Sequence, residues 1–262
     1  MTRFFSVPYD SGHKGLRMGA GPSRLTRELK IEAEEIAPAS EWRAEIGTAF
    51  ELYRALAARV AEPNDFPVVL SGNCGAAIGA AAGVGTERLA VLWFDAHGDY
   101  NTPDTSDTGF LDGMCLSVLT GLSFKNIART IPGFQPVPAH HVMHVGARDF
   151  SPHEDELMVF DGIALIRPQH LNEAPAFLDA IRAEADRILV HVDLDVIDPQ
   201  FGRANHYAVD GGLSADDVLG VIDHARERFT FAALVLASYD PACDPEGRIA
   251  AIGARIVRAV AP

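Results

Sequence analysis

Asp95, His97 and Asp99 alternate with Ala96 and Gly98 directly after the apolar run at residues 89–94. In extended chain, residues i, i+2 and i+4 face the same way, so the three side chains can converge while their small neighbours leave room. Carboxylate, imidazole and carboxylate on one face is a metal-ligand spacing. A second cluster, His191-Val192-Asp193-Leu194-Asp195, ends another apolar run, and Asp193 and Asp195 again share a face. Crowded together, four carboxylates and an imidazole repel at neutral pH unless cations compensate. Their oxygen-rich donor set suits Mn²⁺ better than a structural thiolate zinc site. Two Mn²⁺ per chain, bridged by Asp95 and Asp193, would hold a hydroxide and lower its pKa, giving a nucleophile for an electrophilic carbon. Metal-assisted hydrolysis is the reaction class. Taken singly, each cluster reads equally well as a turn with capping carboxylates; two of them at strand ends favour a ligand site. His191 is assigned to the face opposite the aspartate pair, as a core or supporting histidine, and stays outside the ligand set.

Both clusters need strands to aim them. Short apolar runs at residues 4–7, 66–70, 89–94, 141–145, 163–166, 188–192 and 231–236 lack the polar alternation of a one-faced sheet, so they are expected as strands covered on both faces. Helical spacing lies between them. In residues 40–60, Trp42, Ile46, Phe50, Tyr53, Leu56 and Val60 fall three or four apart, one stripe of an amphipathic helix. Further helices are expected at 76–82, 114–122, 175–185, 214–228 and 249–261. Alternating strand and helix favours right-handed crossovers and a mainly parallel sheet, and ligands of such sheets bind beyond the carboxyl ends of the strands. No linker or repeat interrupts residues 1–262, which read as a single domain.

Composition narrows the function. The chain of 262 residues is 48% hydrophobic, with 22 Lys+Arg against 36 Asp+Glu, a net charge of −14. That charge repels phosphate backbones and anionic lipid, and no apolar run has membrane-spanning length, so neither nucleic acid nor membrane is expected as a partner. Three cysteines, Cys74, Cys115 and Cys243, cannot build a disulfide framework and suit a reducing compartment. The N-terminus offers no signal-like apolar stretch, and a cytoplasmic location is expected.

With these residues in view, the sequence resembles the arginase/agmatinase family of ureohydrolases. The motifs that carry the likeness are Val7-Pro8-Tyr9-Asp10-Ser11-Gly12, Gly19-Ala20-Gly21-Pro22, Asp95–Asp99, Asp193-Leu194-Asp195-Val196-Ile197-Asp198-Pro199 and Gly211-Gly212-Leu213-Ser214, in that order. The resemblance implies a three-layer α/β/α fold with a mainly parallel sheet of about eight strands. It also implies a binuclear manganese centre acting on guanidino compounds, and trimers or hexamers are common in the family. Carried over, one metal takes Asp95, Asp99, Asp193 and Cys74; the other takes Asp95, His97, Asp193 and Asp195. Asp195 also steers the nucleophile.

Three positions depart from the family's pattern. Cys74 stands where the family usually has a histidine ligand, and its softer thiolate favours zinc or iron more than imidazole does. Asp112 occupies the place of the usual proton-shuttle histidine, a role it fills only if its pKa is raised. Ser238 replaces a glutamate that pairs with the guanidinium, a charge-assisted contact commonly of about 1.5–3 kcal/mol. The segment at residues 101–114 is most similar to a branch acting on Nω-hydroxy-L-arginine, with Asn101 and Thr105 as hydrogen-bond candidates for substrate beside Ser238. The expected function is hydrolysis of a linear amidine, guanidino or N-hydroxyguanidino. The alternatives are a metal-dependent amide deacetylase on the same scaffold and a non-catalytic metal- or ligand-binding relative.

Other features carry less. His140, His141 and His144 are assigned surface and core roles. Arg148 is read either as reaching a substrate carboxylate or as closing an ion pair, and Asn205 and His206 are weak candidates for substrate contact. Ile252, Ile256, Val257 and Val260 form a stripe on the last helix that suits either an oligomer interface or the sheet.

Overall fold

Apolar runs without polar alternation need cover on both faces, and the computed structural model, which describes residues 1–41, 44–63 and 65–262, provides it. Eight strands form one sheet: β1 (Thr2–Val7), β2 (Glu34–Glu35), β3 (Phe66–Ser71), β4 (Leu89–Phe94), β5 (Val142–Val145), β6 (Ala164–Ile166), β7 (Arg187–Asp193) and β8 (Thr230–Ala237). Their order is β2-β1-β3-β8-β7-β4-β5-β6, with every neighbouring pair parallel. Seven correspond to the expected runs within a few residues. The eighth, β2, is two acidic residues on the edge beside Phe5 and Ser6, too short and too polar to be read from pattern.

Helices α2 (Glu45–Val60), α3 (Ala76–Val84), α4 (Cys115–Leu119) and α5 (Glu154–Phe160) pack on one face. Helices α1 (Gly21–Leu29), α6 (Ala174–Arg182), α7 (Ala215–Arg226) and α8 (Arg248–Val260) cover the other. The fold is the three-layer α/β/α arrangement the resemblance implied. In α2 the stripe Phe50, Tyr53, Leu56 and Val60 is buried, Ile46 is exposed, and Trp42 lies outside the described residues. The helix expected at 114–122 is shorter, because a tight turn at Asp112–Met114 precedes it and Gly121, at φ 79°, follows. On α8, Ile256, Val257 and Val260 are buried against the sheet, which settles that stripe as core.

Connectivity sets the site. The chain leaves β3 for β4, three places across the sheet, and later fills the gap with β7 and β8. The four central strands β3, β8, β7 and β4 therefore end side by side, in the position where open parallel sheets bind ligands.

Candidate metal centre

Neighbouring parallel strands β4 and β7 pair Phe94 with Val192, so the next residues, Asp95 and Asp193, stand next to each other. Each turns the chain in the same way. Asp95 Oδ1 accepts the His97 N–H at 2.8 Å, and Asp193 Oδ1 accepts the Asp195 N–H at 2.8 Å. The second oxygens face buried donors: Trp93 Nε1 lies 3.2 Å from Asp95 Oδ2, and the Cys74 thiol donates to Asp193 Oδ2 at 2.9 Å. Capping and clustering are thus one geometry, since an aspartate that uses one oxygen to turn the backbone keeps the other for the site. Asp195 is held from two sides, by the Ala96 N–H at 3.3 Å and by Asn205 Nδ2 at 3.1 Å. His97 Nδ1 lies 3.3 Å from Asp95 Oδ1 and 3.5 Å from Asp195 Oδ2. Asp99 adopts a left-handed backbone, φ 53°, and among the described residues its buried Oδ2 has no hydrogen-bond partner.

Beyond β3, the backbone of the Asn73-Cys74 loop is pressed against its surroundings. A Cβ at Gly72 would sit 2.2 Å from the Tyr9 carbonyl oxygen, and one at Gly75 would sit 1.9 Å from the Tyr53 hydroxyl, so only glycine allows this approach. Asn73 Nδ2 donates to Asp112 Oδ2 at 2.6 Å, while the Gly75 N–H and the Cys115 thiol reach Asp112 Oδ1 at 3.3 and 3.2 Å. Burial pushes the Asp112 carboxyl up to about 7, with the hydrogen bonds from Cys115, Asn73 and Gly75 pulling the other way. That upward shift is the direction a proton-transfer carboxyl would need. Beyond β8, Ser238 also has a left-handed backbone, φ 63°, a conformation that costs a non-glycine residue on the order of 1–3 kcal/mol. Asn205 pins it by donating to the Ser238 carbonyl at 2.7 Å, and Ser238 Oγ lies 3.2 Å from Cys74 Sγ.

Electrostatics mark the cluster as a cation site. Burial first, then neighbouring carboxylates, pushes Asp99 and Asp193 well above the usual carboxylate range, and Asp95 is raised by burial as well. Burial opposes protonation of His97, but Asp195 and Asp95 outweigh it and lift the imidazole to about 10. Two of the four groups of potential ligand atoms among the described residues lie in this cluster, Asp95 with His97 and Asp195, and Cys74 with Asp95 and His191, each within 4.8 Å. Asp95 belongs to both. Together with the unpartnered Asp99 oxygen, this donor set fits divalent cations.

His191 corrects the expectation made for it. Two residues before Asp193 on the same strand, it must share that aspartate's face. It is fully buried with its ring stacked on Trp93, centroids 3.7 Å apart. Neither ring nitrogen has a partner among the described residues, a deficit of roughly 1–3 kcal/mol per buried group.

A cavity of about 290 Å³ opens above the cluster, lined by Cys74, His97, Asp99, Asp112, Asp193, Asp195 and Ser238 together with Asn101, Phe110, Asp149, Glu154, Asn205 and Tyr207. Asn101 Oδ1 accepts hydrogen bonds from Thr105 Oγ1 at 3.0 Å and Ser151 Oγ at 2.9 Å. Thr105 itself is exposed outside the cavity wall and acts through Asn101. Glu154 was not anticipated: its carboxylate accepts the Ser151 N–H at 3.0 Å, a local contact at the start of α5 that a Ser-x-x-Glu pattern signals, and the Tyr100 N–H at 2.8 Å, which only the fold creates. Arg148 meets neither reading made for it. Its guanidinium donates to the carbonyls of Gly146, Asp195, Val209 and Asp210, stapling the loops beneath the site. His206 is exposed, and His140 and His141 gather with Glu184 at the opposite end of β5.

Residues 2–261 match the profile of the Arginase family. The chain is 28% identical to an arginase of Bacillus caldovelox over 249 residues, 90% of this chain and 77% of that protein. It is 34% identical to an N(omega)-hydroxy-L-arginine amidinohydrolase of Streptomyces lavendulae over 154 residues, 58% of this chain and 53% of that protein. The solved structure of the Bacillus caldovelox arginase superposes with a TM-score of 0.87 at 24% identity, covering 99% of this chain and 98% of that one.

Proposed function

The chain belongs to the arginase family, metal-dependent hydrolases of carbon–nitrogen bonds in amidines, and on that premise we propose that residues 1–262 are a single catalytic domain hydrolysing a linear guanidino or N-hydroxyguanidino compound at a two-metal centre. One observation carries the proposal: the buried carboxylates Asp99, Asp193 and Asp195 line one solvent-open cavity with His97, and buried Asp95 lies against His97 and Asp195. Asp95, His97 and Asp195, with the oxygens of Asp193 beside them, would hold Mn²⁺; Cys74, with Asp99 at hand, belongs to the second half. Such ions supply polarisation and an ionised water at neutral pH.

The chain's own residues do the rest. Asp195, fixed by Asn205 and Ala96, lines the cavity and orients a hydrogen-bond donor placed against its carboxylate. Asp112 exchanges a proton near neutrality and so can protonate a departing amine. A cationic amidinium is drawn in by exposed Asp149, with buried Glu154 adding negative charge in the cavity wall, while Ser238 and Asn101 offer neutral hydrogen bonds in place of a guanidinium-pairing carboxylate. A hydroxylated guanidine, whose extra oxygen can use such contacts, suits this lining better than arginine itself. A reducing cytoplasmic setting is part of the proposal, since Cys74 and Cys115 are free, buried thiols.

The test is reconstitution with manganese followed by a screen of L-arginine, Nω-hydroxy-L-arginine and agmatine for urea or hydroxyurea. Turnover is expected on the hydroxylated guanidine. Asp193→Asn should lower kcat/KM by more than the about 10–100-fold that losing a ligand's hydrogen-bonding partner costs, with the thermal melt retained. Acetate release from acylated amines, or tight binding of these guanidines without consumption, would overturn the reading.

A further inference from the structure

The centre's two halves differ in donor chemistry. Asp95, His97 and Asp195 offer oxygen and nitrogen alone, whereas Cys74, Asp95 and His191 bring sulfur and a second imidazole within 4.8 Å of a shared carboxylate. We propose that Cys74, Asp95 and His191 bind one Zn²⁺ per chain, with His191, on strand β7 beneath the aspartate pair, serving as a metal ligand. The inference deepens the two-metal reading above and rests on it.

Three observations carry it. His191 is fully buried, yet neither of its ring nitrogens has a partner among the described residues, while the great majority of buried polar side-chain atoms are hydrogen-bonded. Its position in the sheet is fixed by pairing with Trp93 on one side and Val235 on the other, so the ring lies one layer below Asp95 and Asp193 and within reach of Cys74. Trp93 orients two of the three ligands at once: its indole N–H is 3.2 Å from Asp95 Oδ2, and its ring stacks on the imidazole at an interplanar angle of 31°. An aromatic surface that fixes both a carboxylate and an imidazole is the outer support metal ligands require. Thiolate, imidazole and carboxylate together select zinc over manganese, by softness as well as by the general order of divalent affinities. On this account the imidazole that Cys74 does not supply from the loop after β3 comes from β7.

The deciding experiment loads the wild-type protein with one equivalent each of Zn²⁺ and Mn²⁺, removes unbound ions, and measures metal content by elemental mass spectrometry and the zinc environment by X-ray absorption. One retained zinc with a sulfur and an imidazole in its shell is expected. In His191→Leu, which fills the space with an apolar side chain, zinc affinity should fall by more than the about 10–100-fold cost of losing a ligand's supporting partner, while the melt of the metal-free protein is unchanged or raised. Cobalt loaded in place of zinc should show a sulfur-to-metal charge-transfer band that Cys74→Ser abolishes. A wild-type zinc shell of oxygen alone overturns the inference whether or not the variant folds, and so does His191→Leu binding zinc as tightly as the parent. If two ions bind with oxygen-rich shells, this inference fails and the two-metal hydrolase stands. If the wild type retains no metal, both fail.

Discussion

The two halves of the centre are built from the same kind of strand end but have unlike surroundings. On the His97 side, every ligand candidate comes from a strand terminus that turns on its own aspartate, and the loops around it are stapled by Arg148 through backbone carbonyls. On the Cys74 side, the donors come from beyond the ends of β3 and β4 and from within β7, and their neighbours Asp112 and Ser238 are positions at which the resemblance implied a departure from the family's pattern. All three departures border this half. The comparison teaches that one rim can change its donor chemistry while the aspartate turns of the other keep their geometry, because those turns depend on local backbone bonds rather than on the partner across the cavity.

The sharpest way to break the comparison is Cys74→Ser. Zinc affinity should drop by more than about 100-fold, the upper end of the cost of losing a ligand's supporting partner, while manganese binding at Asp95, His97 and Asp195 changes by less than about tenfold; equilibrium competition between the two ions reads both numbers. Equal losses for both ions would mean that the halves are not separable. Asn205→Ala comes next, since Asn205 holds Asp195 on one side and the strained Ser238 backbone on the other. The expected result is a loss of about 10–100-fold in kcat with a smaller change in KM, and an unchanged kcat would show that Asp195 is fixed without it.

The smallest effect is on stability. Burial raises Asp112 from 3.8 to about 7, so the metal-free fold is fully favoured by this group below about pH 3.8 and loses that contribution as the pH climbs through 7. Asp112→Asn, which cannot ionise, should flatten this fall and raise the melting temperature of chelator-treated protein at pH 8 by about 2–4 °C for each 1 kcal/mol recovered. A steeper fall in the variant would reverse the sign assigned to Asp112.

Much of the fold was legible because parallel strands buried on both faces leave uninterrupted apolar runs, and seven of the eight strands announce themselves in this way. The two-residue edge strand at Glu34–Glu35 and the helices at Gly21–Leu29 and Glu154–Phe160 did not, since none carries an apolar signal long enough to exceed its neighbours. The aspartate motifs were legible because i, i+2 spacing is local. The same i, i+2 rule puts His191 on the face of Asp193 and not on the opposite one, so that placement was also legible in the sequence. The long-range roles of Glu154, Arg148 and Asn205 were not legible: each reaches backbone brought near by the fold, with partners up to 62 residues away in the chain, although the Ser151–Glu154 contact is local.

The sequence by itself determined the strands, the two aspartate turns and their place at strand ends, because each follows from periodicity and from hydrogen bonds spanning two residues. Only the tertiary structure decided that β3, β8, β7 and β4 end together, that Asp112 is buried enough to titrate near 7, and that Cys74 comes within 4.8 Å of Asp95 and His191. Strand order, burial and the distance between remote residues are set by how crossovers stack the layers, and no local pattern encodes them.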